Sequence, residues 1–205
     1  MEKKLTREQK EILFGILLGD AHLETQNQGI SFRLKLEQSK KHEPYLNHLY
    51  GVFQNYVTTP PKKRIIEQIT ENQTINVRFS TISTVKFKFF GKQFYKDTKK
   101  IVPKLIHRWL TPRGLAYWYM DDGFMKSIMH KAVLLNTQNF SHAEVLHLCE
   151  VLHKKFNLSC WPRKQKNKTF QIYISGKSYE TLRGVIYEFI VPDMRYKFPL
   201  PRKIK

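Results

Sequence analysis

Two segments of this chain carry an apolar run into aspartate: Leu17-Leu18-Gly19-Asp20, and Tyr119-Met120-Asp121-Asp122 about a hundred residues later. Both runs are apolar almost all round, which demands helices buried on most of their surface. An aspartate at a helix C-terminus opposes the helix dipole, so capping does not account for either copy. The fold must therefore bury two helices and still deliver their acidic ends to a reachable edge. Local signals place the starts. Thr6 opens the first helix with Gln9 three residues on, a capping box, and Thr111-Pro112 opens the second with proline at the first helical position.

The segments downstream of each helix also repeat. Residues 30–37 alternate apolar with polar after the turn-like Asn27-Gln28-Gly29, and residues 131–138 take the same place in the second half. A helix is predicted next in each half, over 43–57 and over 141–156, the latter opened by the capping box Ser141 to Glu144. Hairpins come after them: Arg64–Ile69 with Thr74–Ser80 around Glu71-Asn72, and Cys160–Lys164 with Thr169–Ser175 around Lys166-Asn167. Closing helices are predicted over 83–97 and 177–190. The order αββαββα thus occurs twice, giving an α+β fold of two pseudo-symmetric repeats, 1–98 and 110–205, joined by a basic segment, 99–109, that contains Pro103.

Charge sets the partner class. The chain has 36 Lys+Arg against 17 Asp+Glu, a formal net charge of +19, which implies a polyanion, either nucleic acid or an acidic membrane surface. With 41% hydrophobic and 13% aromatic residues it is globular and not a disordered basic tail. No stretch approaches a membrane span, and the N-terminus lacks the apolar run of a signal peptide. Cys149 and Cys160, without paired spacing, read as reduced, partly buried thiols, so neither a zinc site nor a disulfide framework is expected. Trp109, Tyr117, Trp118 and Tyr119 at helical spacing read as core, and Phe87, Phe89, Phe90, Phe94 and Tyr95 as helix-packing residues.

The two acidic helices resemble the paired motifs of the LAGLIDADG homing endonucleases. The copies read Leu13-Phe14-Gly15-Ile16-Leu17-Leu18-Gly19-Asp20-Ala21 and Leu115-Ala116-Tyr117-Trp118-Tyr119-Met120-Asp121-Asp122-Gly123, so that Asp20 and Asp122 both stand at the eighth letter, where the family keeps its metal-binding carboxylate. The second copy, together with Leu110-Thr111-Pro112, Leu135-Asn136-Thr137-Gln138 and Tyr196-Lys197-Phe198-Pro199, is similar to the subset that includes the yeast mitochondrial omega-intron endonuclease. The copies depart at the second and third letters, Phe14-Gly15 against Ala116-Tyr117. The family packs its two helices through small residues, so a large residue set against a small one is the arrangement expected here.

The resemblance implies a single-chain, monomeric enzyme with paired helices at its centre and antiparallel sheets on double-stranded DNA. It implies cleavage of a long, non-palindromic target with Mg2+, for which Mn2+ can substitute. Asp20 and Asp122 become the metal ligands, with the carbonyls of Gly19 and Asp121 as further donors. Hard carboxylate oxygens suit such cations, which act as Lewis acids and anchor water. Lys100 and Lys197 align with the active-site lysines of the similar subset, with Lys99 the rival of Lys100. Gln38 and Gln138 stand where the family places a polar residue that orients water, with Glu37 the rival of Gln38. On or beside the alternating segments, Arg33, Lys35, Arg64, Arg78, Lys131, Arg163, Lys164 and Lys168 are candidate DNA contacts, with Asn76, Asn136 and Gln171 as base readers. The alternatives are an intron RNA maturase on the same scaffold and, third, a transcriptional regulator that has lost cleavage. An organelle with its own genome, mitochondrion or chloroplast, fits the resemblance, with bacterial or archaeal cytoplasm left open.

Overall fold

A computed structural model describes residues 4–66, 74–127 and 131–198. Helix α1 (Arg7–Leu18) starts at Thr6, whose side chain accepts from the Gln9 amide while the Gln9 side chain returns to the Thr6 N–H. Strands β1 (His22–Glu24) and β2 (Arg33–Ser39), helix α2 (Glu43–Phe53), strands β3 (Lys62–Ile66) and β4 (Thr74–Ser80) and helix α3 (Lys88–Phe94) complete the first half. The connection holds a two-residue ladder, β5 (Tyr95–Lys96) with β6 (Lys99–Lys100), and the short helix α4 (Ile106–Trp109). Helix α5 (Pro112–Asp122) opens the second half, followed by β7 (Gly123–Met125), β8 (Val133–Leu135), α6 (His142–Phe156), β9 (Cys160–Lys164), β10 (Phe170–Ile174) and α7 (Tyr179–Ile186).

The strands form two four-stranded antiparallel sheets of matching order, β1-β2-β4-β3 and β7-β8-β10-β9. In β2 the alternation is strict: Leu34, Leu36 and Gln38 point inward, and Arg33, Lys35, Glu37 and Ser39 point out. This two-residue period buries one face and leaves the other to water. The sheet edges differ from expectation where side chains organise the backbone locally. The first alternating stretch begins at Arg33 and not at residue 30, because Asn27 accepts from the Ser31 amide, Thr25 accepts from the Gly29 amide, and Gly29 takes φ +82°. The predicted closing helices shorten to α3 and α7, each with a 3-10 turn in front. The predicted strand end 67–69 and the turn Glu71-Asn72 lie outside the described residues.

Helices α1 and α5 cross at the centre of the molecule. Ile12, Leu13, Ile16 and Leu17 of α1 and Leu115, Ala116, Trp118 and Tyr119 of α5 all lie in one core without solvent. The close approach does not set a large residue against a small one, as the second and third motif letters suggested. Gly15 meets Gly114, which precedes the second motif: a Cβ on Gly15 would collide with the Gly114 carbonyl, and one on Gly114 would lie 3.0 Å from the Glu11 carbonyl oxygen. Tyr117 turns instead toward α2, where its hydroxyl lies 2.6 Å from His48 Nε2.

Candidate active site

At the acidic end of the seam the seventh letters of the two motifs differ for a steric reason. A Cβ at Gly19 would stand 2.5 Å from Asp121 Oδ2, so glycine in one helix makes the space the other helix's carboxylate fills. Asp121 accepts from the Asp20 amide (3.2 Å) and from the Tyr45 hydroxyl (2.9 Å), and it points inward. Burial first, then the charges of Asp20 and Asp122, hold its carboxyl well above the usual carboxylate range. Its side chain is a tie across the seam. Tyr45→Phe leaves a buried oxygen without its donor and is expected to cost about 1–3 kcal/mol, read as a lower urea midpoint.

Asp20 and Asp122 line one cavity of about 210 Å³ with Gly19, Lys100, Asn136 and Gln138. Burial and then the charge of Asp20 push the Asp122 carboxyl up to about 7, against the pull of Lys100 and Lys197. The lysines hold backbone. Lys100 Nζ donates to the carbonyls of Gly19 (2.7 Å) and Ala21 (2.9 Å), and Lys197 Nζ donates to those of Met120 and Asp121 (the latter 3.2 Å). The seventh-letter carbonyl of each motif is thus engaged by a lysine, and a second lone pair remains on each. Burial pushes Lys100 down to about 8 while the three aspartates resist, and Lys197 moves the same way. Lys100 owes its place to the β5–β6 ladder, which turns tightly through Asp97 and Thr98 at positive φ, whereas Lys99 faces solvent.

The two glutamines do not occupy equivalent places. Gln38 faces inward on β2, its Nε2 donates to Asp20 Oδ2 (2.7 Å), and its Oε1 meets His42 Nδ1 (3.3 Å). His42 Nε2 in turn lies 2.9 Å from the Tyr196 hydroxyl, so the chain of contacts runs from Asp20 into the other half. Gln138 donates instead to Asn136 Oδ1 (3.3 Å), which also accepts from Gln171 (2.7 Å). His42 carries no sequence signal that would have singled it out, and Tyr196 stands out only as a member of the Tyr196-Lys197-Phe198-Pro199 match. Glu37 is occupied by Asn76 Nδ2 (2.8 Å) and Arg64 (3.3 Å) on the outer face.

The candidate DNA contacts divide by strand parity. Arg33, Lys35, Arg64, Asn76 and Arg78 share the outer face of the first sheet, since Lys35 pairs with His22, Arg78 with Glu37, and Arg64 with Asn76. Asn136, Gln171 and Arg163 share the outer face of the second, with Gln171 opposite Arg163. Lys164 stands opposite Phe170 on the other parity, and Lys168 sits in the hairpin turn at φ +65°. Lys131 is drawn to α7, bonding Glu180 (2.9 Å) over the Tyr179 ring.

Comparison with known proteins agrees with this architecture. The profile of the LAGLIDADG DNA endonuclease family matches residues 10–182, and the chain belongs to that family. It is therefore an endonuclease of the LAGLIDADG type, with the α+β fold of paired central helices and antiparallel sheets. A relative from Wickerhamomyces canadensis, a probable intron-encoded endonuclease, is 36% identical over 198 residues, 94% of this chain and 84% of its own. The DNA endonuclease I-ChuI of Chlamydomonas applanata is 30% identical over 207 residues, 94% and 95% of the two chains. A cytochrome b mRNA maturase of Debaryomyces hansenii is 34% identical over 200 residues, 95% and 75% of the two chains. Among solved structures, the homing endonuclease I-WcaI bound to its DNA recognition sequence superposes with a TM-score of 0.92 at 33% identity, covering 98% of this chain and 89% of that one.

Proposed function

We propose that this chain acts as a monomeric homing endonuclease, making a double-strand break in a long, non-palindromic DNA site by Mg2+-dependent hydrolysis, with Asp20 and Asp122 as the metal-binding carboxylates. One observation carries the reading: two carboxylates from the ends of packed helices share a cavity with Asn136 of the second sheet's outer face, and Asp20 also borders a cleft lined by His22, Arg33, Lys35 and Arg78 of the first. The donor set fits a hard divalent cation. Asp122 is held up to about 7 by burial and the charge of Asp20, a conflict that a bound cation would relieve. Among the described residues no cluster of three or more His, Cys, Asp or Glu side chains could hold a metal ion. The remaining donors would be the Gly19 and Asp121 carbonyls, water and the DNA phosphates. When bound, the metal supplies Lewis-acid stabilisation of charge on the phosphoryl oxygens.

The chain's own groups orient the rest. Gln38 fixes the Asp20 carboxylate through Oδ2, and Lys100 and Lys197 hold the seventh-letter carbonyls while placing positive charge beside the cavity. The first sheet presents Arg33, Lys35, Arg64 and Arg78 outward, where cations release counterions from phosphate or fork onto guanine edges. The two faces differ residue by residue, which is why the target is non-palindromic. Relatives named as intron-encoded and as a cytochrome b mRNA maturase favour an organelle with its own genome as the setting. No helix among the described residues is long and apolar enough to cross a membrane.

The test is incubation of the folded chain with a randomised plasmid library and millimolar Mg2+. Linearisation of a discrete subset, with ends mapping to one sequence, is expected; no linearisation would overturn the reading. A second expectation needs no DNA. Asp122 binds its proton more tightly folded than unfolded, so its contribution to stability is complete below its ordinary value of 3.8 and is lost as pH rises through about 7. That loss amounts to up to about 4 kcal/mol. Added Mg2+ should therefore raise the melting temperature more at pH 8 than at pH 5.5, and the difference should vanish in Asp122→Asn. Equal shifts at both values would count against metal binding there.

A maturase role has one finding in its favour, the 34% identical relative named for it. Splicing help that survives Asp20→Asn with Asp122→Asn would assign that role beside cleavage.

A further inference from the structure

The outer faces of the two sheets are built alike and furnished differently. In the second sheet one register row crosses every strand: Phe124 opposite Leu134, Leu134 opposite Tyr173, Tyr173 opposite Trp161. All four belong to the parity that points away from the core, since their neighbours Val133, Leu135, Ile172 and Ile174 are the ones packed inside. Leu134 is only 4% exposed yet is absent from the core cluster. It is buried on the outer face itself, where its row neighbours are Phe124 and Tyr173. Trp161 and Tyr173 stack with centroids 4.8 Å apart, while Phe124 and Trp161 remain 38% and 46% exposed. The matching row of the first sheet, two residues after its motif aspartate as Phe124 is after Asp122, reads His22, Lys35 and Ser80.

The surroundings of the second sheet's row favour a nucleic acid over a protein. The adjacent row toward the active site is Asn136, Gln171 and Arg163, and on the other side the Lys126 ammonium lies 5.5 Å from the Tyr173 ring centre. The row is therefore a hydrophobic band between polar and cationic groups on the face that begins at Asp122. A partner protein seated there would cover that face. In the major groove of DNA the apolar feature of a base edge is the thymine 5-methyl group.

We propose that Phe124, Tyr173 and Trp161, packed over Leu134, read thymine methyl groups, making the half-site under the second sheet T·A-rich over the base pairs the row spans, while the first sheet reads its half-site through polar contacts. This rests on the endonuclease reading of the same chain. Trp161 and Tyr173 are the main specificity determinants, with Phe124 nearest the cut.

The experiment selects cleaved sequences from a randomised duplex library with the wild-type chain and with Trp161→Gln. The half-site whose preferences change identifies the one under the second sheet. Thymidines in each half-site of the selected duplex are then replaced by deoxyuridine, which removes only the methyl. Loss of about fourfold in affinity per methyl in the Trp161-sensitive half is expected, with a change within about twofold in the other. The Trp161→Gln enzyme should lose discrimination of thymidine from deoxyuridine at one or two positions of that half-site and keep it at those nearer the cut. Retained cleavage with no deoxyuridine effect in either half, or unaltered preferences in Trp161→Gln, would overturn this proposal and leave the endonuclease reading standing. A DNA-independent dimer abolished by Trp161→Gln would assign the row to a second copy and also overturn it. Failure to cleave or bind any library member would overturn both.

Discussion

Replacing Asp20 and Asp122 together by asparagine is expected to lower cleavage at least about 10⁴-fold while leaving DNA affinity within a few-fold and raising thermal stability. Cleavage falls because asparagine keeps the shape and removes the anionic oxygens that a divalent cation needs. Affinity survives because the cationic outer faces, with Arg33, Lys35, Arg78 and Arg163, are untouched. Stability rises because burial and like charge hold Asp122 up to about 7, so its ionised form is a cost the folded chain bears at neutral pH. An upward displacement of this size corresponds to at most about 4 kcal/mol at neutral pH, less whatever attraction to Lys100 and Lys197 is lost. The combination matters: lost activity with a higher melting temperature excludes misfolding as the cause. A double variant that still cuts at the wild-type rate, or loses stability, would contradict the assignment of these carboxylates.

Gly15→Ala is expected to be the most damaging single methyl that can be added to the chain. The new Cβ would collide with the Gly114 carbonyl, and this contact is backbone to backbone, so no side chain can rotate away. Helices α1 and α5 would have to separate, opening a core in which Ile12, Ile16, Leu115 and Trp118 have no exposed surface. Overpacking of this kind costs about 3 kcal/mol or more, a fall of roughly 6–12 °C in melting temperature for a chain of this size. Gly184→Ala, where a Cβ meets nothing within 4 Å, is the control and should change little. Equal melting temperatures for the two variants would mean that the helices do not approach as described.

Where the sequence is legible, the signal is local. The capping box at Thr6 and Gln9, and that at Ser141 and Glu144, act within one turn, and both helices start where those residues place them. The Thr111-Pro112 start of α5 is read the same way. The doubled order of elements comes from periodicity. The features that escape depend on partners distant in sequence. Strands β1 and β7 have three residues each, too few for a period to show. Gln38 and Gln138 look equivalent by their distance from the aspartates, but the two sheets reach them through loops of different length, and a one-residue offset turns a side chain to the other face. Gln38 therefore reaches Asp20 and Gln138 reaches Asn136. The motif gives Asp121 a carbonyl role, while the use of its side chain as a tie to Tyr45 and the Asp20 amide requires the seam geometry. Lys131 reads as a DNA contact by its position beside a strand, yet Glu180 and Tyr179 at the start of α7 hold it. The aromatic row is visible in the sequence only as scattered Phe124, Trp161 and Tyr173, and the strand register is what aligns them.

Whether Asp20 and Asp122 form one site at the helix seam serving both DNA strands is decided by strand-resolved cleavage of a single library-selected duplex. Each strand is end-labelled and exposed in Mg2+ to the wild type, Asp20→Asn and Asp122→Asn. A shared site requires cuts on both strands for the wild type and no double-strand breaks for either single variant. Double-strand cutting by either variant at the wild-type rate would contradict it.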